Sequence, residues 1–350
     1  MEQNGSTLVL IPAYKPDERM VNLCRELLDA GLSVMVVDDG SGRSFRHFYD
    51  EAQAMGCHIE RHAVNLGKGR ALKTGINAAL NGYPDLRGLV TADADGQHTC
   101  KDILRIVDAM QEYPDALVTG SRAFTGNVPF KSRAGNAITR YVYRFVTGIR
   151  CHDTQTGLRG IPAKTLGNML KLPGERYEYE MTMLLKLRDM EMPLHEVSIE
   201  TIYIDDNKGS HFNPLRDATK IYSVILKFMA SSLVSGGLDM LVYLLCLLVF
   251  SLQPWLCYVI ARVISSLINY SLNRTAVFNR RGGNGSIFRY YLLAVLQMAA
   301  GSGLVEFFHT VVGINAGWMK IPVDAVLFFI SYVIQRDFVF SDRWTKKEES

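Results

Sequence analysis

Four long apolar stretches fill the second half of the chain and constrain its fold more than any other feature. They cover residues 228–250, 255–278, 287–312 and 318–340 of 350. Each is close to the roughly 20 residues that a helix needs to cross the hydrocarbon core of a bilayer. A bundle inside a soluble protein would carry more polar faces. The sequence therefore predicts an all-α four-helix transmembrane domain over residues 228–342.

The apolar stretches repeat in pairs. Residues 269–278 align with residues 331–340, and four aligned positions are identical. The identical pairs are Tyr270/Tyr332, Arg274/Arg336, Val277/Val339 and Phe278/Phe340. A duplicated helical hairpin is the simplest explanation, since internal repeats are common in membrane domains.

Basic residues are distributed unevenly around these stretches. They flank the middle loop and follow the last stretch, at Arg280, Arg281, Arg289, Arg343, Lys346 and Lys347. The loops near Gln253 and Asn315 hold almost none. Basic residues mark the cytoplasmic side of a membrane protein. We therefore expect a multi-pass integral protein of the plasma membrane, with the first half and both termini in the cytoplasm.

The remainder of the chain has an ordinary mixed composition. Residues 1–215 are expected to form a domain outside the membrane, followed by a juxtamembrane linker at 216–227 and, at the other end, a charged tail at 343–350. The net charge of +3 is too small to indicate a nucleic-acid partner. The six cysteines have no Cys-x-x-Cys spacing, which favours reduced thiols over disulfides or a zinc site.

Short apolar runs alternate with helical patterns up to about residue 120. The runs lie at residues 8–11, 34–37, 58–61, 86–91 and 117–120. Strands separated by helices predict βαβ units and a mostly parallel sheet in an α/β domain. Ligands of such sheets bind beyond the carboxyl ends of the strands. Polar clusters of this chain occur at three such ends, which predicts a nucleotide site there.

A pair of carboxylates follows the fourth predicted strand. Asp93 and Asp95 flank Ala94, and residues i and i+2 of an extended segment point the same way, so both can face one cation. Gln97 continues the alternation and adds a neutral oxygen. Oxygen ligands suit Mg²⁺ or Mn²⁺. The alternative is an acidic turn that caps the next helix.

A second carboxylate pair, Asp38 and Asp39, ends the second predicted strand. Either residue can cap a helix, but a carboxylate at this point of an α/β sheet can also bind a base or ribose. Gly67 and Lys68 follow the third strand, where a glycine allows close backbone approach and a lysine reaches phosphate. Alone, this glycine pattern is weak evidence.

A basic amphipathic helix is predicted over residues 132–150. At 100° per residue, Arg133, Arg140 and Arg144 share one narrow face, and apolar side chains gather on the opposite one. The pattern fits a surface helix of the first domain. It equally fits a helix at the membrane interface with its arginines directed at lipid phosphates.

The clusters in the first half resemble glycosyltransferase family 2, the inverting enzymes of the GT-A fold. The matching segments are Ile-Pro-Ala-Tyr at 11–14, Val-Asp-Asp-Gly-Ser at 37–41, Asn-Leu-Gly-Lys-Gly at 65–69 and Asp-Ala-Asp-Gly-Gln-His at 93–98. Their order and spacing make the match specific. Within the family, the chain is similar to the dolichol-phosphate mannosyltransferase and polyprenyl-phosphate glucosyltransferase branch. The resemblance implies a Rossmann-like GT-A catalytic domain over residues 1–215.

The resemblance also implies roles for individual residues. At the nucleotide we expect Pro12, Ala13, Tyr14, Asp38, Asp39, Gly67, Lys68 and Ala94, and at the metal Asp93, Asp95 and Gln97. Residues 120–122, 154–157 and 208–211 also look like this branch. From the last two stretches, the residues expected near phosphate are Gln155, Lys208, Ser210 and His211. The branch usually has a lysine where this chain has His211, which weakens that assignment.

The second half resembles the GtrA family of small four-helix membrane proteins. The paired helices of that family end in signatures like Asn-Arg-x-x-Val-Phe, and residues 273–278 match this pattern. The resemblance covers nearly all of residues 226–340. It implies either translocation of polyprenyl-linked sugars or anchoring of a glycosyltransferase, here fused in one chain.

Together these patterns predict a metal-dependent membrane glycosyltransferase. The expected reaction is inverting transfer of a hexose from a UDP- or GDP-hexose to polyprenyl phosphate. The expected partners are the nucleotide sugar, the lipid and the membrane, without nucleic acid and with a homo-oligomer left open. The alternatives are a sugar-lipid translocator with a regulatory glycosyltransferase-like domain, and transfer to a different lipid acceptor.

The acceptor determines which catalytic groups are needed. A phosphate monoester has a second pKa of about 6 and is mostly dianionic at pH 7. It needs cations to hold it rather than a base to activate it. Arg122, Lys131 and Arg133 are the candidates, since guanidinium matches phosphate geometry. Arg122 and Arg133 join Asp93 and Asp95 as the expected catalytic residues. Glu178 and Glu180 are the best candidates for a base.

Overall fold

The structure is a computed structural model that describes residues 7–122, 130–200, 219–250, 254–278, 285–314 and 316–341. The chain divides into two compact units, Met1–Ile221 and Tyr222–Ser350. This division falls inside the linker predicted at residues 216–227.

The first unit is built on a seven-stranded sheet. Its strands are β1 (Thr7–Ala13), β2 (Ser33–Asp38), β3 (His58–Arg61), β4 (Gly88–Thr91), β5 (Leu117–Arg122), β6 (Arg159–Pro162) and β7 (Leu194–Ile199). They lie in the order β3-β2-β1-β4-β6-β5-β7. β1 to β4 are parallel, as are β5 and β7, but β6 is antiparallel to β4 and β5. The predicted α/β class is confirmed, and the sheet is mixed because of β6, which the sequence analysis did not predict.

Helices connect these strands. In the described part of this unit they are α1 (Glu18–Asp29), α2 (Arg46–Ala54), α3 (Lys68–Gly82), α4 (Cys100–Glu112), α5 (Phe130–Thr147), α6 (Ala163–Leu170) and α7 (Glu178–Lys186). Side chains cap two of them: Asp17 accepts from Arg19 N ahead of α1, and Thr99 accepts from Asp102 N ahead of α4. Of the seven, α2, α6 and α7 were not predicted.

The parallel strands form the core of the first unit. Leu8 to Ile11 on β1 and Met35 to Val37 on β2 are fully buried. Such continuous apolar runs are typical of strands that are covered on both faces. Because β1, β2, β4 and β5 run in the same direction, their carboxyl ends lie at one edge of the sheet. The predicted polar clusters therefore come together at that edge.

The second unit is helical in the described residues. Its helices are α8 (Thr219–Leu248), α9 (Pro254–Leu272), α10 (Ser286–Thr310) and α11 (Ala316–Ile334). Among the described residues, one stretch, Tyr222–Leu248, is long and apolar enough to cross a membrane. Leu233, Phe288 and Met298 are more than two-thirds exposed, at 75%, 72% and 71%. Exposed apolar surface of this kind is typical of segments that lipid or another protein covers.

The predicted repeat has a structural counterpart. α9 ends in a π-helical turn at Asn273–Val277, and α11 ends in one at the aligned positions, Gln335–Val339. Aligned residues also contact each other. Asn273 Nδ2 donates to Gln335 Oε1 at 3.0 Å, and the rings of Phe278 and Phe340 stack with centroids 5.1 Å apart. Contacts between equivalent positions are what a pair of hairpins related by an approximate twofold axis would make.

Buried polar side chains link all four helices around this contact. Ser231 of α8 donates to Asn273 Oδ1, and Gln335 Nε2 donates to Ser331 Oγ at 2.9 Å. Ser331 in turn donates to Gln297 Oε1 of α10 at 3.2 Å. Unsatisfied polar groups are costly in an apolar environment, so each member of this chain depends on its neighbours.

We predict that Asn273→Leu destabilises the helical unit. The change removes the hydrogen bond from Ser231 to Asn273 Oδ1 and leaves Gln335 Oε1 without its donor Asn273 Nδ2, which costs about 1 kcal/mol or more. The matched control is Thr275→Val in the same turn, where the exposed hydroxyl donates to Ser271 O of its own helix. Thermal unfolding in detergent should start earlier for Asn273→Leu alone. Equal melting of the two variants would contradict the prediction.

Candidate active site

Asp39, directly after β2, organises the loop that leads into α3. Its Oδ1 accepts from Leu66 N and lies 2.8 Å from His62 Nδ1. Its Oδ2 accepts from Asn65 Nδ2 at 2.9 Å and from Gly67 N at 2.8 Å. Asp39 thus lies at the predicted edge, and its carboxylate holds the 65–67 loop in place.

Asp38 and the end of β1 form the neighbouring part of this edge. Asp38 accepts from Ser41 N at 2.8 Å and closes the turn after β2. Gly40 in that turn has φ +72°, and a Cβ there would lie 2.2 Å from the main-chain carbon of Val64. At the end of β1, Pro12 is partly buried and Ala13 is buried. The next residue, Tyr14, is 46% exposed. Tyr14 is therefore the accessible apolar surface at the predicted nucleotide position.

Lys68, the first residue of α3, lies between two carboxylates. Its Nζ is 2.6 Å from Asp93 Oδ1 and 3.0 Å from Glu180 Oε2. Burial would raise the pKa of Asp93, but the Lys68 ammonium and His98 outweigh it and hold that pKa well below its usual range. Burial would lower the pKa of Lys68, and Asp93 and Glu180 instead raise it. Asp93 and Lys68 are therefore both ionised at neutral pH.

Asp95 is in a different electrostatic position from Asp93. Gln97 N donates to its Oδ1 at 3.0 Å. Burial, and then repulsion by the Asp93 charge, raise the pKa of Asp95. His98 is buried behind the pair, with Nε2 at 3.4 Å from Asp93 Oδ2. The two carboxylates of the predicted metal site therefore repel each other and would gain from a cation between them.

A glycine makes room for the Asp93 carboxylate. Thr91 Oγ1, at the end of β4, donates to Gly157 O at 2.7 Å and ties the 153–157 loop to the strand. A Cβ on Gly157 would lie 2.4 Å from Asp93 Oδ2. The antiparallel strand β6 begins directly after this loop. The loop, including Gln155, therefore lies at the edge of the sheet where the parallel strands end.

Arg122 at the end of β5 forms an ion pair with Asp153 that no pattern in the sequence predicts. Its Nε and Nη2 donate to Asp153 Oδ2 and Oδ1 at 2.6 and 3.1 Å, and the Asp153 side chain is fully buried. Gln155 N also donates to Asp153. The only sequence signal was the position of Asp153 next to the 154–157 stretch. The pair fixes the direction of Arg122, a predicted catalytic residue.

The helix α5 buries a different face from the one that its sequence pattern emphasises. Thr139, Tyr143 and Val146 are buried in the first unit, and Tyr143 Oη donates to Leu184 O of α7. Tyr141, on the predicted apolar face, is 65% exposed. Val142 and Phe145 on the same face are partly buried, so the first unit covers one part of that face and leaves Tyr141 exposed.

Several predicted residues cannot be placed against this site. Lys208, Ser210 and His211 lie outside the described residues, and the side chains of Lys131 and Arg133 do as well, although both residues belong to α5. The residues predicted to bind the nucleotide and the metal lie at one edge of the sheet, with Ala94 between Asp93 and Asp95.

The site can hold a hard cation in cooperation with a substrate. Within the described segments, no three His, Cys, Asp or Glu side chains are grouped as a ready-made metal cage. Asp93 and Asp95 supply two carboxylates, and the Lys68 ammonium already lies against Asp93. Mg²⁺ is commonly held by one or two carboxylates plus substrate phosphates. The donor set fits such an ion.

Two family models match the chain. Residues 8–166 match glycosyl transferase family 2, and residues 227–340 match the GtrA/DPMS transmembrane domain. The chain joins a family 2 glycosyltransferase domain to a GtrA/DPMS transmembrane domain. Both predicted resemblances are confirmed, and the mixed, Rossmann-like sheet agrees with the predicted GT-A domain. The transmembrane match and the long apolar helix mark the chain as a membrane protein.

The chain is similar to curated enzymes from several organisms. It is 25% identical over 245 residues to the UDP-N-acetylglucosamine–dolichyl-phosphate N-acetylglucosaminyltransferase of Methanococcus voltae, covering 64% of this chain and 97% of that one. It is 30% identical over 170 residues to the polyprenol monophosphomannose synthase of Mycolicibacterium smegmatis, covering 46% and 63%. It is 26% identical over 235 residues to the dolichyl-phosphate beta-glucosyltransferase of Drosophila melanogaster, covering 58% and 69%.

We predict that Gly157→Ala impairs the glycosyltransferase without unfolding it. The added methyl group would push the Asp93 carboxylate out of position, and a misplacement of about 1 Å costs about a hundredfold in rate. The control is Gly167→Ala on α6, where a Cβ meets nothing within 4 Å. Steady-state rates and melting temperatures of both variants test this. Activity of Gly157→Ala close to that of the control would mean that Asp93 has room to move.

Proposed function

We propose that this chain transfers a hexose from a nucleoside-diphosphate sugar to polyprenyl phosphate, with inversion at the anomeric carbon. The observation that carries the proposal is the Asp93–Asp95 pair, with Lys68 against it, in a chain that also contains a transmembrane domain. The names of the three similar enzymes support the acceptor, because all three include a dolichyl or polyprenol phosphate. Their sugars differ, so the donor sugar of this chain is left open.

The donor would bind along the carboxyl ends of β1, β2 and β4. Tyr14 offers exposed apolar surface to the nucleotide, and Asp39 holds the 65–67 loop beside it. Asp93, Asp95 and the neighbouring Gln97 would hold Mg²⁺ or Mn²⁺. When bound, such an ion neutralises the charge that develops on the departing nucleoside diphosphate.

The acceptor needs cations and proximity. A phosphate oxygen of the lipid attacks the anomeric carbon, the bond to the diphosphate breaks, and no base is required because the phosphate is already ionised. Arg122, whose guanidinium is oriented by Asp153, would hold that phosphate. Lys131, Arg133, Gln155, Lys208, Ser210 and His211 are the further candidates.

Glu178 and Glu180, the two candidates for a general base, are each already engaged in another contact. Glu178 Oε1 accepts from Glu175 N at 3.1 Å and therefore stabilises the start of α7. Glu180 is paired with Lys68. Neither arrangement is that of a free base, which supports a mechanism that relies on the acceptor's own charge.

The membrane arrangement belongs to the same proposal. The helices α8 to α11 would all span the plasma membrane, with both termini and the catalytic domain in the cytoplasm. The exposed apolar face of α5, at Tyr141, would then rest at the membrane interface beside the lipid phosphates.

We predict that activity requires a divalent cation and that Asp95→Ala lowers it by roughly a hundredfold or more, since metal stabilisation is worth several kcal/mol. The control is Asp108→Ala on the exposed side of α4. The full chain in detergent would be assayed with labelled UDP- and GDP-hexoses and polyprenyl phosphate, with and without chelator. Full turnover in excess chelator would refute the metal requirement.

The same assay identifies the chemistry. The product should carry one phosphate between sugar and lipid, and the released nucleotide should be a diphosphate. Release of a nucleoside monophosphate would mean that a sugar phosphate had been transferred. Absence of any product with every donor would favour the translocator alternative.

We predict that a cysteine introduced at Asn284→Cys is labelled from the side of the N-terminus. A cysteine introduced at Asn315→Cys should be labelled only from the other side. Both would be placed in a chain from which the native cysteines have been removed, in sealed vesicles of known orientation. Labelling of both positions from one side would exclude four spans.

A further inference from the structure

Three charged side chains form a buried triad at the centre of the site. The Lys68 ammonium is shared between Asp93 and Glu180, and the three side chains are only 16%, 26% and 12% exposed. Asp93 is also one of the two carboxylates that would hold the proposed metal ion. The Lys68 ammonium and a divalent cation would therefore compete for this carboxylate.

Two glycines bring Lys68 next to Glu180. A Cβ on Gly67 would lie 2.6 Å from Glu175 O, and a Cβ on Gly69 would lie 2.6 Å from Tyr179 Cβ. Because both positions lack a side chain, the first turn of α3 packs directly on the start of α7, and Arg70 N donates to Glu175 O at 2.9 Å. The packing of these two main-chain segments therefore determines where the Lys68 side chain starts.

Glu180 is held from behind and retains an unused acceptor. Arg159, which is almost fully buried, donates from Nη1 to the Glu180 main-chain oxygen at 2.6 Å. Glu180 Oε2 binds Lys68, while Oε1 is buried and has no hydrogen-bond partner in the described part of the chain. Buried polar atoms are rarely left unpaired. Glu180 can therefore take over the ammonium completely if Asp93 releases it.

We propose that Lys68 is the resident counter-cation of the carboxylate site: it neutralises Asp93 when no metal is bound and moves onto Glu180 when a divalent cation binds. The inference rests on the metal-dependent transfer proposed above. The physical reason is repulsion, because an ammonium 2.6 Å from Asp93 cannot remain there beside a doubly charged ion in a low-dielectric site. Metal binding is then an exchange of cations.

The proposed exchange predicts that removing Lys68 strengthens metal binding. Lys68→Met keeps the length of the side chain and removes the competing charge. The variant should bind Mn²⁺ alone, without nucleotide, about tenfold more tightly than the wild type. In chelator it should melt at a lower temperature, because Asp93 and Glu180 lose their buried counter-charge. Unchanged Mn²⁺ affinity in this variant would contradict the competition between Lys68 and the metal.

Glu180→Gln tests the second half of the proposal. Without a carboxylate to receive the ammonium, Mn²⁺ binding should weaken about fivefold. In the Lys68→Met/Glu180→Gln double variant most of that weakening should disappear, since no ammonium is left to be displaced. The same fold loss in both backgrounds would show that Glu180 acts on the metal directly and would overturn the exchange.

The matched control is Lys73→Met. Lys73 lies on the same helix, is similarly buried and pairs with Glu175 at 3.1 Å, away from Asp93. Its removal should leave Mn²⁺ affinity within about twofold of the wild type. If Lys73→Met tightened Mn²⁺ binding as much as Lys68→Met does, the change in net charge alone would explain both results. That outcome would contradict the proposal.

The measurement is Mn²⁺ binding by electron paramagnetic resonance on the full chain in detergent, with melting curves in chelator. If Lys68→Met does not fold, Lys68→Gln replaces it and should still tighten Mn²⁺ binding. A wild type that binds no Mn²⁺ with or without nucleoside diphosphate would remove the proposed metal dependence itself. Wild-type binding with unchanged or weaker binding in the Lys68 variants would overturn the exchange alone.

Discussion

The hydrogen bonds to one carboxylate, Asp39, hold the active edge of the sheet together. Two of them come from the main chain of Leu66 and Gly67, immediately ahead of α3. They fix where that helix starts, and the start of the helix places Lys68 against Asp93. Charge-assisted hydrogen bonds of this kind are about twice as strong as neutral ones, so one residue influences the geometry of a loop, a helix and a carboxylate of the proposed metal site.

The antiparallel strand β6 supplies the second half of the site. Because it runs against β4 and β5, the loop that precedes it returns to the edge where the parallel strands end. This loop contributes Gly157, which leaves space for Asp93, and Asp153, which orients Arg122. The donor side and the acceptor side of the proposed reaction therefore meet at β6. A purely parallel sheet would not bring these residues to the same edge.

In the transmembrane unit, neutral side-chain amides make the central contacts in place of carboxylates. Its repeated residues, Asn273 and Gln335, hydrogen-bond to each other where two π-helical turns meet. A side-chain amide carries both donors and acceptors, so one sequence motif used twice can pair with itself across an approximate twofold axis. The duplication that is visible in the sequence thus has a physical function, since each copy satisfies the buried polar group of the other.

The sequence by itself determined the α/β class of the first unit, the apolar character of the second and the clustering of Asp39, Lys68, Asp93 and Asp95 at strand ends. Local periodicity and strand direction suffice for those conclusions. Only the tertiary structure decided the partners: Glu180 beside Lys68, Asp153 beside Arg122 and Gly157 beside Asp93. These contacts join residues far apart in the chain through an antiparallel strand and a helix packing that no local pattern encodes.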